Sequence, residues 1–508
     1  MRGWPRTGSV VGEEVVLGEQ VTATQFTRAD RTRYRQKVRR CLDVFERMLR
    51  ESRFDFARAM IGLEIELNLV DETGDPTMRN AQVLESIADP DFQTELGQFN
   101  IEINVPPQAL DGTSLVELEK TLRTDLNHAE DSAHAVGAQL MMIGILPTLT
   151  AEHLSVDALT ANPRYKLLNE QIFAVRGEDI WLDIAGDERL RTSSDSIAPE
   201  AACTSVQCHL QVSPETFPAY WNAAQCIAGV QLALGANSPF LFGRQLWRET
   251  RIALFDQATD TRSEELKEQG VRPRVWFGER WITSVFDLLE ENVRYFPALL
   301  PICSEEDPLQ VLEAGGAPTL AELRLHNGTV YRWNRPVYDV VGDLPHLRVE
   351  NRVLPAGPTV ADILANAALY YGLVRVLAED ERPLWSRMSF AVAEENFHTA
   401  AKHGIEARAF WPGLGEVPTT ELVLRRLLPM AADGLARWGV DSGVSDRLLG
   451  ILEQRCLTHR NGAEWQVETV RALETEQNLS RPDALRRMAL SYAEHMHSNE
   501  PVHTWPVG

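Results

Sequence analysis

Cysteine is scarce and scattered: six in 508 residues (Cys41, Cys203, Cys208, Cys226, Cys303 and Cys456), none in CxxC spacing. Neither a disulfide scaffold nor a zinc ligand set is indicated, and reduced thiols in a cytoplasm are the expectation. Also missing are a GxxxxGK[ST] loop and a GxGxxG turn between a strand and a helix. P-loop and dinucleotide-fold nucleotide binding are thereby disfavoured. The first 29 residues contain no apolar stretch of the kind an export signal needs, and no later run is read as reaching the roughly 20 apolar residues that cross a bilayer. A soluble chain without a membrane partner is expected. No Lys/Arg-rich stretch offsets the net charge of -23, which argues against a nucleic-acid groove. There is no internal repeat and no low-complexity segment.

What is present is an ordinary globular composition, 44% hydrophobic and 24% charged, long enough for one large core or two moderate ones. Residues 1–26 mix Gly, Thr and charge without a period and are expected to form a poorly ordered lead-in. From 30 to about 53 apolar residues recur at helical spacing (Val38, Leu42, Phe45, Met48, Leu49). The pattern then changes to period two. Over residues 60–70, Ile61, Leu63, Ile65, Leu67 and Leu69 oppose Gly62, Glu64, Glu66 and Asn68, which predicts a strand ending in the turn at 72–76.

Residues 99–105, 205–212 and 346–353 repeat that alternation, with helical patterns between them over 115–136 and 221–235. From Thr359 onward the chain reads as helices only, with starts at Thr359-Val360-Ala361-Asp362 and Ser480-Arg481-Pro482-Asp483. The expected fold is α+β: an antiparallel sheet with helices on one face, in a unit over 27–360, and a helical C-terminal third over 361–508.

The polar faces of the four strands carry Glu64, Glu66, Asn68, Asn100, Glu102, Asn104, Gln207, His209, Gln211, Arg348, Glu350 and Arg352. A solvent face would be stocked with Lys, Thr and Ser, and no lysine is among these. Carboxylates, amides, arginines and a histidine are the inventory of a site for metal and phosphate. Glu64 and Glu66, two apart on one strand, can face one magnesium cluster, with Glu102 and Glu350 joining from other strands. His209 suits either a magnesium ligand or a phosphate hydrogen bond. Arg335, Arg348 and Arg352 suit charge neutralisation on a phosphoryl group or the fixing of a substrate carboxylate. The terminal His495, His497 and His503 are taken as solvated structure.

Several segments resemble the glutamate-cysteine ligases of the glutamine synthetase superfamily, in particular the bacterial carboxylate-amine ligases. Gly62-Leu63-Glu64-Ile65-Glu66 is similar to that family's G-x-E-x-E strand, and Glu95-Leu96-Gly97-Gln98-Phe99-Asn100-Ile101-Glu102 to its next acidic segment. Val206-Gln207-Cys208-His209 resembles its histidine strand, although Gln207 stands where Gly is common. Asn237-Ser238-Pro239-Phe240 with Gly243-Arg244 and Arg251 resembles a segment near its substrate pocket. Residues 327–336 and 347–352 resemble the stretch that supplies its last metal acid and a phosphate-facing arginine.

The resemblance spans about 60–360. It implies a curved antiparallel sheet forming a funnel-shaped, glutamine synthetase-like active site that uses Mg2+ and ATP. It assigns Glu64, Glu66, Glu95, Glu102 and Glu350 to the metals, His209, Gln211 and Arg348 to the nucleotide, and Arg335 and Arg352 to catalysis. Residues seven apart on a strand face opposite sides, so Glu95 must precede the strand of Glu102, with Gly97 permitting a turn. The activity implied is ligation of glutamate to an amine, with cysteine as the expected acceptor and γ-glutamylcysteine as the product. The alternatives are another amine, a guanidino kinase-like phosphotransferase, or a binding protein that has lost its chemistry. Self-association is left open.

Overall fold

The computed structural model describes residues 26–56 and 58–507. The lead-in expected over 1–26 lies outside the described residues apart from Phe26. Helix α1 (Arg28–Arg50) begins where a reciprocal cap is available: Thr27 Oγ1 accepts from the Asp30 amide at 3.2 Å, and Asp30 Oδ2 accepts from the Thr27 amide at 2.8 Å.

The centre of the molecule is a seven-stranded antiparallel sheet. In chain order its strands are β1 (Met60–Val70), β2 (Phe92–Thr94), β3 (Asn100–Ala109), β4 (Gln139–Met141), β5 (Val206–Val212), β6 (Asn334–Val341) and β7 (Leu344–Asn351). Their spatial order is β6-β7-β5-β1-β3-β2, and β4 pairs with the far end of β1. One face is the expected apolar core, where Ile61, Leu63, Ile65, Leu67, Ile101, Leu210 and Val349 are at most 1% exposed. The other face is not open to water as a half-buried sheet would be. Glu66, Asn68, Asn100, Gln207, His209 and Glu350 are all buried on it, because the sheet curls and its neighbours close over it.

Two apolar helices lie under the core face: α2 (Phe217–Gly235) and α3 (Val360–Ala378). Tyr371 of α3 donates to the carbonyls of Gly62 and His209, which fixes that helix against β1 and β5. By length and composition α3 could cross a membrane, a run that the sequence reading passed over; 89% of its most apolar window is buried in the protein. A chain of buried amides joins α2 to the edge hairpin. Asn334 and Asn351 are directly opposed across β6 and β7, Asn351 Nδ2 donates to Asn334 Oδ1 at 2.7 Å, and Gln225 and Gln231 of α2 bond to Asn334 and Asn351.

The C-terminal part is helical with one exception to the expectation of helices only: a hairpin pairs Arg408–Trp411 with Gly415–Pro418. After it, the turn Val423–Leu427 is a π-helix leading into α4 (Leu428–Trp438). Pro429 has no amide to continue the regular ladder there. Helices α3 and α4 cross with Gly372 against Gly434; a Cβ on Gly434 would fall 1.8 Å from the Gly372 carbonyl oxygen, so no side chain fits at the crossing.

The final long helix, α5 (Arg481–Ser498), starts at the expected Ser480 cap. Its Tyr492 donates to the Met142 carbonyl at 2.7 Å and accepts from Asn237 at 2.8 Å. Trp465, Tyr492 and Trp505 stack edge-on around that knot, with ring centroids 5.0–5.9 Å apart.

Candidate active site

The registers of the sheet set which charges meet. Opposed pairs on adjacent antiparallel strands share a face. Glu66 lies opposite Glu102, Glu64 opposite Gln207, Glu350 opposite His209, and Arg335 opposite Glu350. The result is two carboxylate clusters side by side. In one, ligand atoms of Glu64, His209 and Glu350 lie within 4.8 Å of one another, and in the other those of Glu66, Glu95 and Glu102 do.

Glu95 reaches the second cluster from the segment after β2. Gln93 pairs with Glu102, so Glu95, two residues on, falls on the same face. Gly97 serves the turn differently from the expectation: its φ is not positive, and a Cβ there would sit 2.5 Å from Asn100 Oδ1. It is needed for close approach.

The first cluster carries its own cations. Glu350 is completely buried and accepts from Arg335 Nη2 at 3.0 Å, from Arg335 Nε, and from Arg352 Nη1. Burial alone would raise its pKa, but the two guanidinium groups hold it far below the ordinary carboxylate range. Burial also opposes ionisation of Glu64, and the adjacent His209 outweighs it, lowering that pKa.

In the second cluster burial and the neighbouring acids outweigh the nearby arginines. Burial first, and the neighbouring Glu95 second, push Glu66 up to about 7, although its carboxylate accepts from Ser205 N at 2.7 Å, Ser205 Oγ at 3.1 Å and Gln207 Nε2 at 2.9 Å. Glu95 is raised by burial as well. Gln207 spans the two clusters, since its Oε1 accepts from Arg352 Nη1 at 2.8 Å. The residue that departs from the resembled pattern is thus bonded to both Glu66 and Arg352.

His209 is held by Arg348, whose Nε donates to Nδ1 at 3.0 Å. With Nδ1 accepting, the neutral ring carries its proton on Nε2. Nε2 lies 2.9 Å from Glu64 Oε1, yet it is buried without a directed hydrogen bond. An orphaned nitrogen beside two carboxylates fits a cation, and the three carboxylates of the other cluster are the hard oxygen set that magnesium prefers. For Nε2 to bind a cation, the ring must give up that proton or the Arg348 contact.

Two cavities share walls with this row of charge. One is lined by Arg164, Arg324, Arg335 and Arg348, with Tyr338 and Asn327. The other is lined by Glu66, Ser205, Arg251, Arg352, Tyr331 and Trp333 among its walls. Arg251 is 3% exposed; it pairs with Glu249 at 2.9 Å and also donates to the carbonyls of Arg352 and Val353.

Of the residues expected from sequence, Glu64, Glu66, Glu95, Glu102, His209, Arg335, Arg348, Glu350 and Arg352 converge here. Gln211 does not join them; its amide is directed at the Asp55 carbonyl, 3.4 Å away, and it lines neither cavity. Arg244 stands apart in an exposed pair with Glu188 at 3.2 Å. Arg164, Arg324 and Glu200 were not anticipated. The two arginines sit in helices Pro163–Arg176 and Ala321–Asn327, whose patterns carry no sign of a pocket. Glu200 had one signal, being the only charged residue in Ile197-Ala198-Pro199-Glu200-Ala201-Ala202.

Comparison with known proteins gives a family and a fold. Residues 60–476 match the model of glutamate-cysteine ligase family 2. The structure of a glutamate-cysteine ligase from Francisella tularensis in complex with AMP superposes with a TM-score of 0.53 at 11% identity, covering 90% of this chain and 96% of that one. A bifunctional glutathione synthetase from Pasteurella multocida gives 0.46 at 13% identity, covering 90% of this chain and 55% of that one. No curated protein matches by sequence.

Proposed function

The chain belongs to glutamate-cysteine ligase family 2, and from that membership we propose that it is an ATP-dependent carboxylate-amine ligase. Its substrates on this reading are glutamate and an amine, with cysteine the first acceptor to test and γ-glutamylcysteine the product. The observation that carries the reading is the pair of adjoining carboxylate clusters, Glu64-His209-Glu350 and Glu66-Glu95-Glu102, bordered by Arg335, Arg348 and Arg352.

The chemistry is two balanced transfers. A carboxylate oxygen of glutamate attacks the γ-phosphorus of ATP, giving an acyl phosphate and ADP. The amine then attacks the acyl carbon, and the C–O bond to phosphate breaks; an R-NH3+ substrate yields the amide, HPO4(2-) and one proton. Magnesium held by the two clusters would supply positive charge to the nucleotide phosphates. Arg164, Arg324, Arg335 and Arg348 line a cavity whose charge suits a polyphosphate. Arg352, bonded to Glu350 and Gln207, would on this reading neutralise charge on a transferring phosphoryl group. The second cavity, with Arg251 and aromatic walls, suits a small amino acid.

The test is a product analysis with ATP, Mg2+, glutamate and a panel of amines. ADP and phosphate, formed only when glutamate is present and in step with an amide, are the expected result. AMP and pyrophosphate as main products would refute the acyl-phosphate route. A phosphorylated guanidino product would move the chain to the phosphotransferase class.

A further inference from the structure

Arg164, Arg324, Arg335 and Arg348 border the first cavity, and two of them are held from behind by one acid. Asp339 stands on β6 and is 5% exposed. Its Oδ1 lies 2.8 Å from Arg324 Nη2, and its Oδ2 accepts from Arg348 Nη1 at 3.1 Å. Both arginines line the cavity; Asp339 does not. The register explains the second contact. Val337 is opposite Arg348 across β6 and β7, and Asp339 is opposite His346, so Asp339 and Arg348 are diagonal neighbours on one face. Arg324 reaches the same carboxylate from the helix Ala321–Asn327. Burial works against ionisation of Asp339, but Arg348 and Arg324 outweigh it and lower its pKa. Arg348 also donates from Nε to His209 Nδ1 at 3.0 Å, so one acid orders a chain that ends at the Glu64-His209-Glu350 cluster.

We propose that Asp339 is a positioning residue for the nucleotide: it fixes the guanidinium groups of Arg324 and Arg348 in the directions that meet the polyphosphate chain. The role rests on the reading of the arginine-lined cavity given above. Two like charges whose side chains are 11% and 18% exposed repel each other where water screens little, and a shared carboxylate makes their proximity stable. A guanidinium is a planar fork, so a contact on one edge sets the direction of its remaining N–H groups. Long side chains otherwise lose rotamer freedom when a ligand binds, a cost that prior ordering removes. Asp339 also puts negative charge close to where a polyanion is to sit. Its electrostatic effect on the polyphosphate is therefore repulsive, while its positioning effect is favourable. Removing the acid separates the two by sign: if charge alone counted, binding would tighten, and if order counts, binding weakens.

The experiment titrates the full chain, in Mg2+, with adenylyl imidodiphosphate, which carries the triphosphate charge without passing on its γ-phosphoryl group. Asp339→Asn should raise Kd about tenfold, the scale of a lost charged hydrogen bond. KM for ATP should rise in step, while KM for glutamate moves less than about twofold. Arg324→Met should also weaken binding, and Asp339→Asn added to it should cost less than Asp339→Asn alone, because the acid then has one arginine to hold instead of two. Asp339→Glu keeps the charge and displaces it by a methylene; it should bind more tightly than the Asn variant and more weakly than wild type, and it carries the test if the Asn variant does not fold. Unchanged or tighter binding by the folded Asn variant, or by the Glu variant where that carries the test, would overturn the proposal. So would wild-type affinity in Arg324→Met, which would place the nucleotide elsewhere and leave the ligase reading to the product analysis. If the wild type binds the analogue but forms no amide, the ligase reading fails and the titration still decides the role of Asp339.

Discussion

Glu350→Gln should destabilise the apoprotein by about 3 kcal/mol at pH 7. Breaking a buried ion pair by removing one partner typically costs about 3–5 kcal/mol. Here one carboxylate serves two guanidinium groups: Glu350 is 0% exposed, Arg335 contacts both of its oxygens and Arg352 one. The amide keeps the shape and one acceptor oxygen, but it turns an NH2 toward a guanidinium N–H, which places the loss near the lower end. Against a total stability of about 5–15 kcal/mol this is readily seen in urea melts.

The pH dependence gives a second reading of the same group. A depressed carboxyl contributes stability that is complete above its unfolded value, about 4.3, and is lost as pH falls toward the folded value. The gap between wild type and variant should therefore be constant from pH 5 to 7 and should narrow below about pH 4.3, by up to about 1.4 kcal/mol per pH unit. The double variant Glu350→Gln/Arg335→Met, which also removes one stranded cation, should be more stable than Glu350→Gln alone. A single variant within about 1 kcal/mol of wild type, or a double variant weaker than the single, would refute the account of Glu350 as the shared counterion. Loss of turnover alone would not test it, since a metal ligand gives the same result.

In EDTA the wild type should lose stability as pH rises from about 6.5 to 8. Glu66, Glu200 and Asp256, pushed up to about 7, 8 and 8 by burial and neighbouring acids, hold protons in the folded chain that an unfolded carboxyl releases near 4.3. The buried His326 and His346, lowered to about 4, work in the opposite direction only below about 6.5, so a flat or rising urea midpoint across 6.5–8 would contradict the assignment. Added Mg2+ should restore the lost stability at pH 8. Trp505→Ala should cost about 3–5 kcal/mol, because Trp505 is 2% exposed and packs edge-on against Trp465 and Tyr492; a change under about 1 kcal/mol would mean that the C-terminal segment is not part of the core.

The parts of the fold legible in the sequence were those where one face of a strand is purely apolar. Met60–Val70 and Val206–Val212 alternate in sequence because every second residue packs in the apolar core under the sheet. β6 escaped notice because Pro336, Val337 and Tyr338 follow one another between Arg335 and Asp339, so no period of two survives in the sequence. β2 and β4, three residues each, are too short to show a period. The hairpin of Ile180–Ala185 with Arg189–Ser194 lies off the main sheet and was also missed.

At the site the acids were readable because they share strands with that alternation. Arg164, Arg324 and Glu200 come from helices and a 3-10 turn, where only the tertiary path brings them in. Gln207 was visible as a polar-face residue, but its place between Glu66 and Arg352 needed the register of β5 against β1.

The amide chain under the edge hairpin has a consequence for the two carboxylate clusters on the opposite face. A slip of β7 by one position would exchange Glu350 for Val349 or Asn351 on the funnel side and turn the Glu350 carboxylate into the core. Apolar contacts alone tolerate such slips poorly but not absolutely, since Val, Leu and Ile are interchangeable partners at low cost. Amides are not interchangeable in that way. Asn334, Asn351, Gln225 and Gln231 satisfy one another only in the native alignment, and any other leaves buried amide groups unpaired. The core side of the sheet thus acts as the key that selects which residues the charged side presents.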